Sequence, residues 1–391
     1  MTKKSNFNGP ENLPKKSTRP DIFIFAGELS GDLHGGALIE SLRKKNKKLQ
    51  IIGVGGPKMR AAGMECLILM EEFEAMGFFS LIPHLPRILK HFFTLKKAVT
   101  LQQPRVIVLI DYAEMNMRLA GALRKAGYTG IICQYIGPTV WKWRPGRVEL
   151  MAKWFDLLLV IFPFEPPYFA HTSLRTVYVG NPLINPLKTP DANRAKKKKI
   201  CALFPGSRKQ EITRHLPYLA RVAKRLLADD PSLHFAISVA DPRFTPLIKE
   251  LFEQGDHTSL FSPKETATIV ASSTLALSKM GTITLELARY KVPTIAFYDL
   301  NQIERIAARF LIKKTARKFY SLPSIMLKEE VFPELVGDDL TDDSLYLCAK
   351  KLLTSEKDRK EIIAMCERVI KLFGKGVASE NASREILNLL A

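Results

Sequence analysis

The sequence FPGSRKQE, at residues 204–211, has the composition of a diphosphate site. Gly206 and Ser207 can offer backbone N–H groups, and Arg208 can grip phosphate oxygens bidentately and stabilise departing negative charge. The spacing is not that of a Walker A loop. The alternative is an ordinary basic helix start, which is unfavourable because Arg208 and Lys209 would oppose the helix dipole.

A second glycine turn, KMGTITLE at residues 279–286, favours the same ligand. Gly281 makes the turn and Thr282 opens a helix, so backbone N–H groups would again face an anion. Glu286 lies one helical turn further, where acidic residues of nucleotide-binding folds accept hydrogen bonds from a ribose diol. A capped helix with a solvated glutamate is the alternative. We predict that both turns bind one nucleotide.

Asp111 directly follows the apolar segment VIVLI and should therefore stand at the end of a buried strand. A carboxylate in that position can take a proton from an attacking hydroxyl group. Glu114 supplies a second carboxylate nearby. The alternative is that Asp111 caps the following helix. We predict Asp111 as a general base.

The sequence AGELSGD, at residues 26–32, follows the first strand and opens a helix. Its two glycines allow a ligand to approach the backbone closely, but they lack the GxGxxG spacing of NAD or FAD sites. We predict that Ser30, Gly31 and Asp32 contact a sugar acceptor and that Glu28 is catalytic, with Asp111 and Arg208. The alternative is a tight turn in which a side chain caps the helix.

The loop YIGPTVWKWRPGR, at residues 135–147, carries two of the three tryptophans. Flat aromatic faces and arginines suit sugar and phosphate, so we predict that Trp141 and Arg144 bind the acceptor. Interleaved aromatic and basic residues also suit single-stranded nucleic acid. A packed loop with paired arginines is the third interpretation.

An amphipathic basic segment begins with MGFFSLIP at residues 76–83 and runs to Lys97. Such a segment can lie in a membrane interface or hold acyl chains, although helical core packing explains its apolar residues equally well. The residues predicted to make this contact are Met76, Phe78, Phe79, Leu81 and Ile82.

These residues need a scaffold that brings strand ends together. Apolar segments at 21–26, 50–54, 106–110, 130–135 and 157–162 alternate with helical segments, the first of them from about His34 to Lys45. The alternation restarts with strands at 200–204, 234–239, 274–278 and 294–298. This predicts an α/β protein with two Rossmann-like, doubly wound domains, in which ligands bind beyond the carboxyl ends of the strands.

The domain boundaries follow from changes in composition. We predict a disordered basic tail at residues 1–20, an N-terminal acceptor and membrane-side domain at 21–185 and a linker at 186–199. A nucleotide-binding domain follows at 200–341. The helical segment 342–391 could pack back on the N-terminal half.

Composition limits the partners. Lys and Arg number 59 against 39 Asp and Glu, a net charge of +20, which favours anionic partners. Five scattered cysteines without a CxxC pair indicate reduced thiols in the cytoplasm. No apolar run approaches the roughly 18 residues of a spanning helix, so any membrane contact would be peripheral. No residues have metal-ligand spacing, and we expect neither a metal nor a cofactor.

Ten segments occur in one order along the chain. They are AGELSGDLHGG (26–36), GVGGPKMRAAGME (53–65), MG (76–77), WKWRPGRV (141–148), FPFE (162–165), YVGNPL (178–183), FPGSRKQEI (204–212), MGTITLELA (280–288), VPTIAFY (292–298), and SLPSIML with VFPELV (321–336). Together they resemble the lipid-A-disaccharide synthase family. The chain departs from the usual family residues at Ala113, Glu114, Gly137, Asn181, Met280 and Ser324.

The resemblance implies a GT-B fold and an inverting glycosyltransferase, with the donor held mainly by the second half. The implied donor is UDP-2,3-diacylglucosamine and the implied acceptor is 2,3-diacylglucosamine 1-phosphate, joined by a β-1,6 linkage. Asp111 matches the acidic residue proposed as base in the family. The residues that match the family's nucleotide site are Arg208, Gly281, Thr282 and Glu286. The implied location is the inner face of the cytoplasmic membrane, on an anionic surface.

Two other functions remain compatible with the sequence. A UDP-sugar epimerase uses the same fold and needs no lipid acceptor. A non-catalytic basic protein on a decayed transferase fold would bind lipid or RNA. Five turns that keep their polar groups favour the transferase, for which we expect no nucleic-acid partner. A homodimer is left open.

Overall fold

The computed structural model describes residues 19–74, 81–138, 140, 146–184, 199–252, 255–301 and 319–391, without the side chains of 73–74 and 81–88. Almost all of the predicted tail and linker lies outside these ranges. Contacts within the chain divide it into two compact units, Met1–Pro186 with Lys375–Ala391, and Leu187–Gly374.

The first unit is built on a seven-stranded parallel sheet in the order β3-β2-β1-β4-β5-β6-β7. Its strands are β1 (Ile22–Ala26), β2 (Ile51–Gly55), β3 (Glu65–Leu69), β4 (Val106–Ile110), β5 (Ile131–Tyr135), β6 (Leu157–Val160) and β7 (Arg175–Tyr178). The helices of this unit that precede the second unit along the chain are α1 (Leu29–Lys45), α2 (Pro57–Ala61), α3 (Glu71–Glu74), α4 (Leu81–Gln102), α5 (Ala113–Lys125) and α6 (Arg147–Trp154).

The second unit repeats the plan with a six-stranded parallel sheet in the order β10-β9-β8-β11-β12-β13. Its strands are β8 (Lys199–Phe204), β9 (Leu233–Ser238), β10 (Thr258–Phe261), β11 (Ser273–Lys279), β12 (Thr294–Tyr298) and β13 (Glu334–Val336). Its helices are α7 (Lys209–Asp229), α8 (Thr245–Leu251), α9 (Thr266–Ser272), α10 (Ile283–Arg289), α11 (Leu322–Leu327), α12 (Asp342–Thr354) and α13 (Glu356–Leu372).

The central strands are apolar throughout because both faces of each sheet are covered. In β1, Phe23 and Phe25 enter one buried cluster while Ile22 and Ile24 enter the cluster on the opposite face. Strands buried on both faces are typical of parallel sheets with helical crossovers. The predicted fold class, two doubly wound α/β domains, is confirmed.

Four strands were not predicted: β3, β7, β10 and β13. They are the outermost strands of the two sheets. All four contain partly exposed residues, and none is buried along its whole length. An edge strand has a neighbour on one side only, so its sequence lacks the continuous apolar run by which the central strands were recognised.

The C-terminal segment is divided between the two units. A last helix, α14 (Ala378–Asn388), packs against α1 of the first unit, where Ile386 joins the core and the hydroxyl groups of Ser41 and Ser383 lie 2.8 Å apart. The two helices before it belong to the second unit. Among the residues described here, no helix is long and apolar enough to cross a membrane.

Gly53 in β2 tests how tightly the first sheet is packed. A Cβ atom at this position would lie 1.9 Å from the carbonyl oxygen of Ile24, a backbone atom that cannot move away. We expect Gly53→Ala to lower the free energy of unfolding by at least about 3 kcal/mol, near the upper range of single substitutions.

Gly146→Ala is the matched control, because a Cβ there meets no atom of the described residues within 4 Å. We expect that change to alter stability by less than about 0.5 kcal/mol. Urea denaturation of both variants provides the measurement. Equal stabilities for the two variants would show that β1 and β2 are less closely packed than described.

Candidate active site

The two predicted nucleotide turns lie side by side in the second unit. Phe204 of β8 pairs with Ser278 of β11 at the last register position of the two strands. The turns that follow, 205–208 and 279–282, therefore leave the same edge of the sheet next to each other. Strand order reverses between β8 and β11, which is where ligands bind in doubly wound sheets.

A buried carboxylate ties these two turns together. Glu211, in the first turn of α7, accepts a hydrogen bond from Lys279 Nζ at 2.9 Å and one from the Ser207 backbone N–H at 3.0 Å. Its Oε1 also lies 3.4 Å from Nη1 of Arg208. Burial by itself would raise the pKa of Glu211, but the Lys279 ammonium, the Ser207 amide and Arg208 outweigh it, so the pKa is lowered.

The Ser207 amide was expected to face a diphosphate, and here it faces Glu211 instead. Gly206 makes this possible, because its φ is +130° and a Cβ there would approach Glu211 Oε2 to 2.7 Å. The turn thus folds back on its own helix. Ser207 remains a predicted ligand residue, but its N–H is already used in this state.

The cations at this edge differ in exposure. The side chain of Arg208 is 71% exposed, so the guanidinium can turn toward a ligand at little cost, whereas that of Lys279 is 18% exposed. Lys279 Nζ lies 5.5 Å from the ring centre of Tyr298 and is the nearest atom, at 3.9 Å, to a Cβ placed on Gly281. Lys279 was not predicted as a site residue, although its position at a strand end before a glycine turn is a usable signal.

The second turn leaves space for a ligand. Thr282 is exposed at the start of α10, and within the described part of the chain Lys279 is the nearest neighbour to a Cβ placed on Gly281. Thr284 donates its hydroxyl to the Gly281 carbonyl at 2.7 Å, which holds the turn. Glu286 is half-buried on α10, where burial raises its pKa against the opposing charge of Arg289.

A buried histidine supports the first turn from behind. His215 donates from Nδ1 to the Pro205 carbonyl at 2.9 Å, and its Nε2 accepts the backbone N–H of Asp299 at 3.2 Å. This pair of bonds requires the neutral ring. Burial lowers the pKa of His215 in agreement with that. His215 was not predicted from the sequence, where it lies one helical turn beyond the predicted motif.

In the first unit, Asp111 stands at the corresponding reversal of strand order, between β1 and β4. Its Oδ2 accepts a hydrogen bond from the hydroxyl group of Ser30, with an oxygen–oxygen distance of 2.9 Å. Tyr112, not Asp111, occupies the cap position of α5, its side chain makes no capping hydrogen bond, and the hydrogen bond of the Asp111 carboxylate goes to Ser30. The alternative function of Asp111 as a helix cap is therefore not observed.

Asp32 has a different task from the predicted one of facing a ligand. Helix α1 begins at Leu29, earlier than expected, so Asp32 lies within its first turns. Its two carboxylate oxygens accept the backbone N–H groups of Lys58 and Met59 at 2.9 and 3.0 Å, and its side chain is buried. Gly31 packs on Ala26 of β1. Both residues are thus engaged in structure, and their contact with an acceptor stays a prediction.

Two further carboxylates border Asp111. Glu28 is exposed at the start of α1, and its charge adds to burial in raising the pKa of Tyr112. Glu114 forms ion pairs with Arg147 at 2.7 Å and with Arg118 at 3.3 Å. The charge of the Glu114 carboxylate is therefore paired with two arginines, while the Asp111 carboxylate is hydrogen-bonded to a neutral hydroxyl group.

A small cavity opens in the same unit at the N-terminal end of α14. Its volume is about 140 Å³, and its lining includes His34, Tyr135, Asn181, Ile184 and Ala378. Burial lowers the pKa of His34, and the negative charge of Asp111 opposes this shift. His34 and Asp111 are therefore close enough to interact electrostatically.

Several predicted site residues lie outside the part of the chain that the structure describes. Trp141, Arg144, Met76, Phe78 and Phe79 are not among the described residues, and the side chains of Leu81 and Ile82, at the start of α4, are not described either. Within the described ranges, no three histidines, cysteines or carboxylates form a group that could hold a metal ion.

Solved structures share this fold at low sequence identity. A UDP-GlcNAc 2-epimerase from Neisseria meningitidis, bound to UDP-GlcNAc, superposes with a TM-score of 0.62 at 12% identity, covering 94% of this chain and 99% of that one. The calicheamicin glycosyltransferase CalG4 gives a TM-score of 0.57 at 16% identity, with 95% and 99% covered. These likenesses establish the GT-B architecture and do not separate an epimerase from a transferase.

The sequence relatives distinguish a transferase from an epimerase. The family described as Lipid-A-disaccharide synthetase matches residues 22–386. The Lipid-A-disaccharide synthase of Rhodospirillum centenum is 32% identical over 382 residues, covering 94% of each chain. That of Chlamydia pneumoniae is 32% identical over 381 residues, and the match spans 62% of its longer chain. This protein therefore belongs to the lipid-A-disaccharide synthase family.

Proposed function

We propose that this chain joins UDP-2,3-diacylglucosamine to 2,3-diacylglucosamine 1-phosphate, giving the β-1,6-linked lipid A disaccharide 1-phosphate and UDP. The observation that carries the proposal is the pair of adjacent turns at Arg208 and Gly281, in a chain whose family match covers residues 22–386. An accessible carboxylate at the strand reversal of the other unit supplies the second requirement, a base.

The proposed reaction is a single displacement that inverts the anomeric carbon. The 6-hydroxyl oxygen of the acceptor bonds to the anomeric carbon as the bond from that carbon to the diphosphate oxygen breaks. The hydroxyl proton passes to Asp111, and the electron pair leaves with UDP. Ser30 keeps one carboxylate oxygen of Asp111 oriented, so the base does not have to be ordered during the reaction.

The second unit stabilises the leaving group in this proposal. Arg208 is exposed and held only loosely by Glu211 at 3.4 Å, so it can exchange that carboxylate for a phosphate. Lys279 stays in place on Glu211 and adds a fixed positive charge beside Gly281. Glu211 thereby keeps Lys279 in position before the diphosphate arrives and holds Arg208 close to the same point. Glu286 is proposed to bind the ribose diol.

Both substrates carry acyl chains, and α4 offers a surface that fits a lipid bilayer. Leu89 and Phe93 are 46% and 59% exposed, one helical turn apart, with Lys90 and Lys97 exposed beside them. The opposite face of α4 is buried through residues such as Leu95. We propose that this face contacts the anionic inner surface of the cytoplasmic membrane, with each well-placed lysine contributing about 1 kcal/mol.

Asp111→Asn tests the base. The amide keeps the shape but accepts no proton, so we expect kcat to fall by about 10²- to 10⁴-fold while UDP binding is unchanged. The assay follows disaccharide formation from both lipids in EDTA, since no metal is expected. Glu114→Gln is the control and should keep activity within about threefold, because that carboxylate is paired with arginines. Full activity of Asp111→Asn would remove Asp111 from the mechanism.

Arg208→Ala tests the leaving-group site. We expect kcat/KM for the UDP-sugar to fall by about 10²-fold, as for loss of one charge-stabilising donor. Lys209→Ala removes the same charge from the next residue, which is exposed at the first position of α7, and should change kcat/KM by less than about threefold. If the two variants behave alike, the turn contributes only general positive charge.

The double change Leu89→Ser and Phe93→Ser tests the membrane surface. Because it removes two apolar side chains from the bilayer contact, we expect binding to anionic phospholipid vesicles to weaken by at least about tenfold. Leu347→Ser is the control, because Leu347 lies in the second unit and is 60% exposed, at least as much as either residue changed. Co-sedimentation measures the bound fraction. Unchanged binding of the double variant would place the membrane contact elsewhere.

A further inference from the structure

Two buried amide side chains converge on the main-chain carbonyl of Asp111. Asn116 Nδ2 donates to it at 2.6 Å and Gln134 Nε2 donates to it at 3.0 Å. The two amides are also joined to each other, because Asn116 Nδ2 lies 3.2 Å from Gln134 Oε1. Their exposures are 0% and 1%.

The backbone that these amides hold is strained. Asp111 and Tyr112 are consecutive non-glycine residues with φ of +53° and +32°. A left-handed conformation is unfavourable for each such residue, because the Cβ atom comes too close to the following carbonyl oxygen. Such strain persists only where the surroundings impose it, and it concentrates at functional sites. Here the surroundings are two amide donors on one carbonyl oxygen.

Gln134 extends the restraint to the neighbouring strand end. Its Nε2 also donates to the carbonyl of Ile136 at 3.0 Å, and Ile136 has a φ of +63°. One side chain of β5 thus holds the left-handed residues that follow β4 and β5. The local arrangement is not the most favourable one for hydrogen bonding, because Asn116 Oδ1 is buried with no partner among the described residues.

We propose that Gln134 and Asn116 are positioning residues for catalysis. By holding the Asp111 carbonyl, they set the direction in which the Asp111 side chain leaves the backbone and keep its carboxylate within 2.9 Å of Ser30. Neither amide touches the substrate. The inference rests on the proposed role of Asp111 as the base.

Gln134→Met is the principal test, because methionine fills a similar volume and cannot donate. Misplacing the base without removing it should lower kcat by about 100-fold. The donor KM and the dissociation constant of UDP should stay within about twofold, because the residues proposed to bind UDP lie in the second unit.

Tyr128→Phe is the matched control. It removes one buried hydrogen bond of the same unit, from the Tyr128 hydroxyl to the Pro104 carbonyl at 2.8 Å. Pro104 precedes the first residue of β4, whereas Asp111 follows the last. If Gln134 were only structural, both variants would keep kcat at temperatures where they remain folded. The proposal requires a loss of kcat in folded Gln134→Met that is absent from Tyr128→Phe, whatever the two losses of thermal stability, since Gln134 makes more hydrogen bonds than Tyr128.

Gln134→Glu gives a pH-dependent signature, which is read as kcat at a temperature where the variant is folded at every pH, because a raised pKa would also make its stability fall as pH rises. A protonated carboxyl can donate to the Asp111 carbonyl, whereas a carboxylate can only repel it. Burial among carbonyl oxygens favours the protonated form, so its pKa should be raised. The activity of Gln134→Glu relative to the native protein should therefore be highest at low pH and fall as pH rises. A constant ratio across pH would overturn the proposal.

Asp111→Asn, measured in parallel, separates this inference from the proposed function. If Asp111→Asn is inactive and Gln134→Met matches Tyr128→Phe, the positioning role is wrong and the base assignment stands. If Asp111→Asn keeps full activity, the proposed function fails and the positioning role fails with it. Loss of kcat in both Asp111→Asn and Gln134→Met, with UDP binding kept, supports both.

Discussion

Reversal of strand order within each parallel sheet is the constraint on which the candidate site depends. At β1 and β4, and again at β8 and β11, neighbouring strands are followed by chain segments that lead away in opposite directions. The turns beyond these strand ends are left uncovered by their own crossovers. Asp111 and Ser30 occupy one of these positions, and Arg208, Lys279 and Gly281 lie at or next to the other.

Electrostatics at the second unit follow from a single buried carboxylate. Glu211 carries the charge that allows Lys279 to remain at a mostly buried position, and it draws the Ser207 amide and Arg208 toward the same point. A buried ion pair gives little net stability because desolvation offsets attraction. Its value here is the placement of Lys279, since a cation held in advance needs no reorganisation when negative charge develops.

The first unit uses backbone strain where the second uses charge. The left-handed residues after β4 aim a carboxylate at Ser30, and buried amides hold that geometry. Asp32 shows how the same residue type can serve a different purpose nearby. Its carboxylate accepts hydrogen bonds from two backbone amides of α2, while that of Asp111 accepts one from a hydroxyl group near the surface.

The fold class and the strand-end positions of Asp111, Arg208 and Gly281 could be predicted from the sequence, because buried parallel strands read as continuous apolar runs and the turns follow them directly. The family could be predicted from ten segments that occur in one order along the chain. The remaining features depend on how the chain packs. The four edge strands lack such runs, and the start of α1 at Leu29 depends on packing. Three sets of hydrogen bonds were not predicted: Ser207 with Glu211, Asp32 with the first amides of α2, and Gln134 with the Asp111 carbonyl. The second and third join residues far apart in the sequence, and the first requires the turn to fold back on α7. Hydrogen bonds of that kind are set by three-dimensional proximity, which no local pattern of residues encodes.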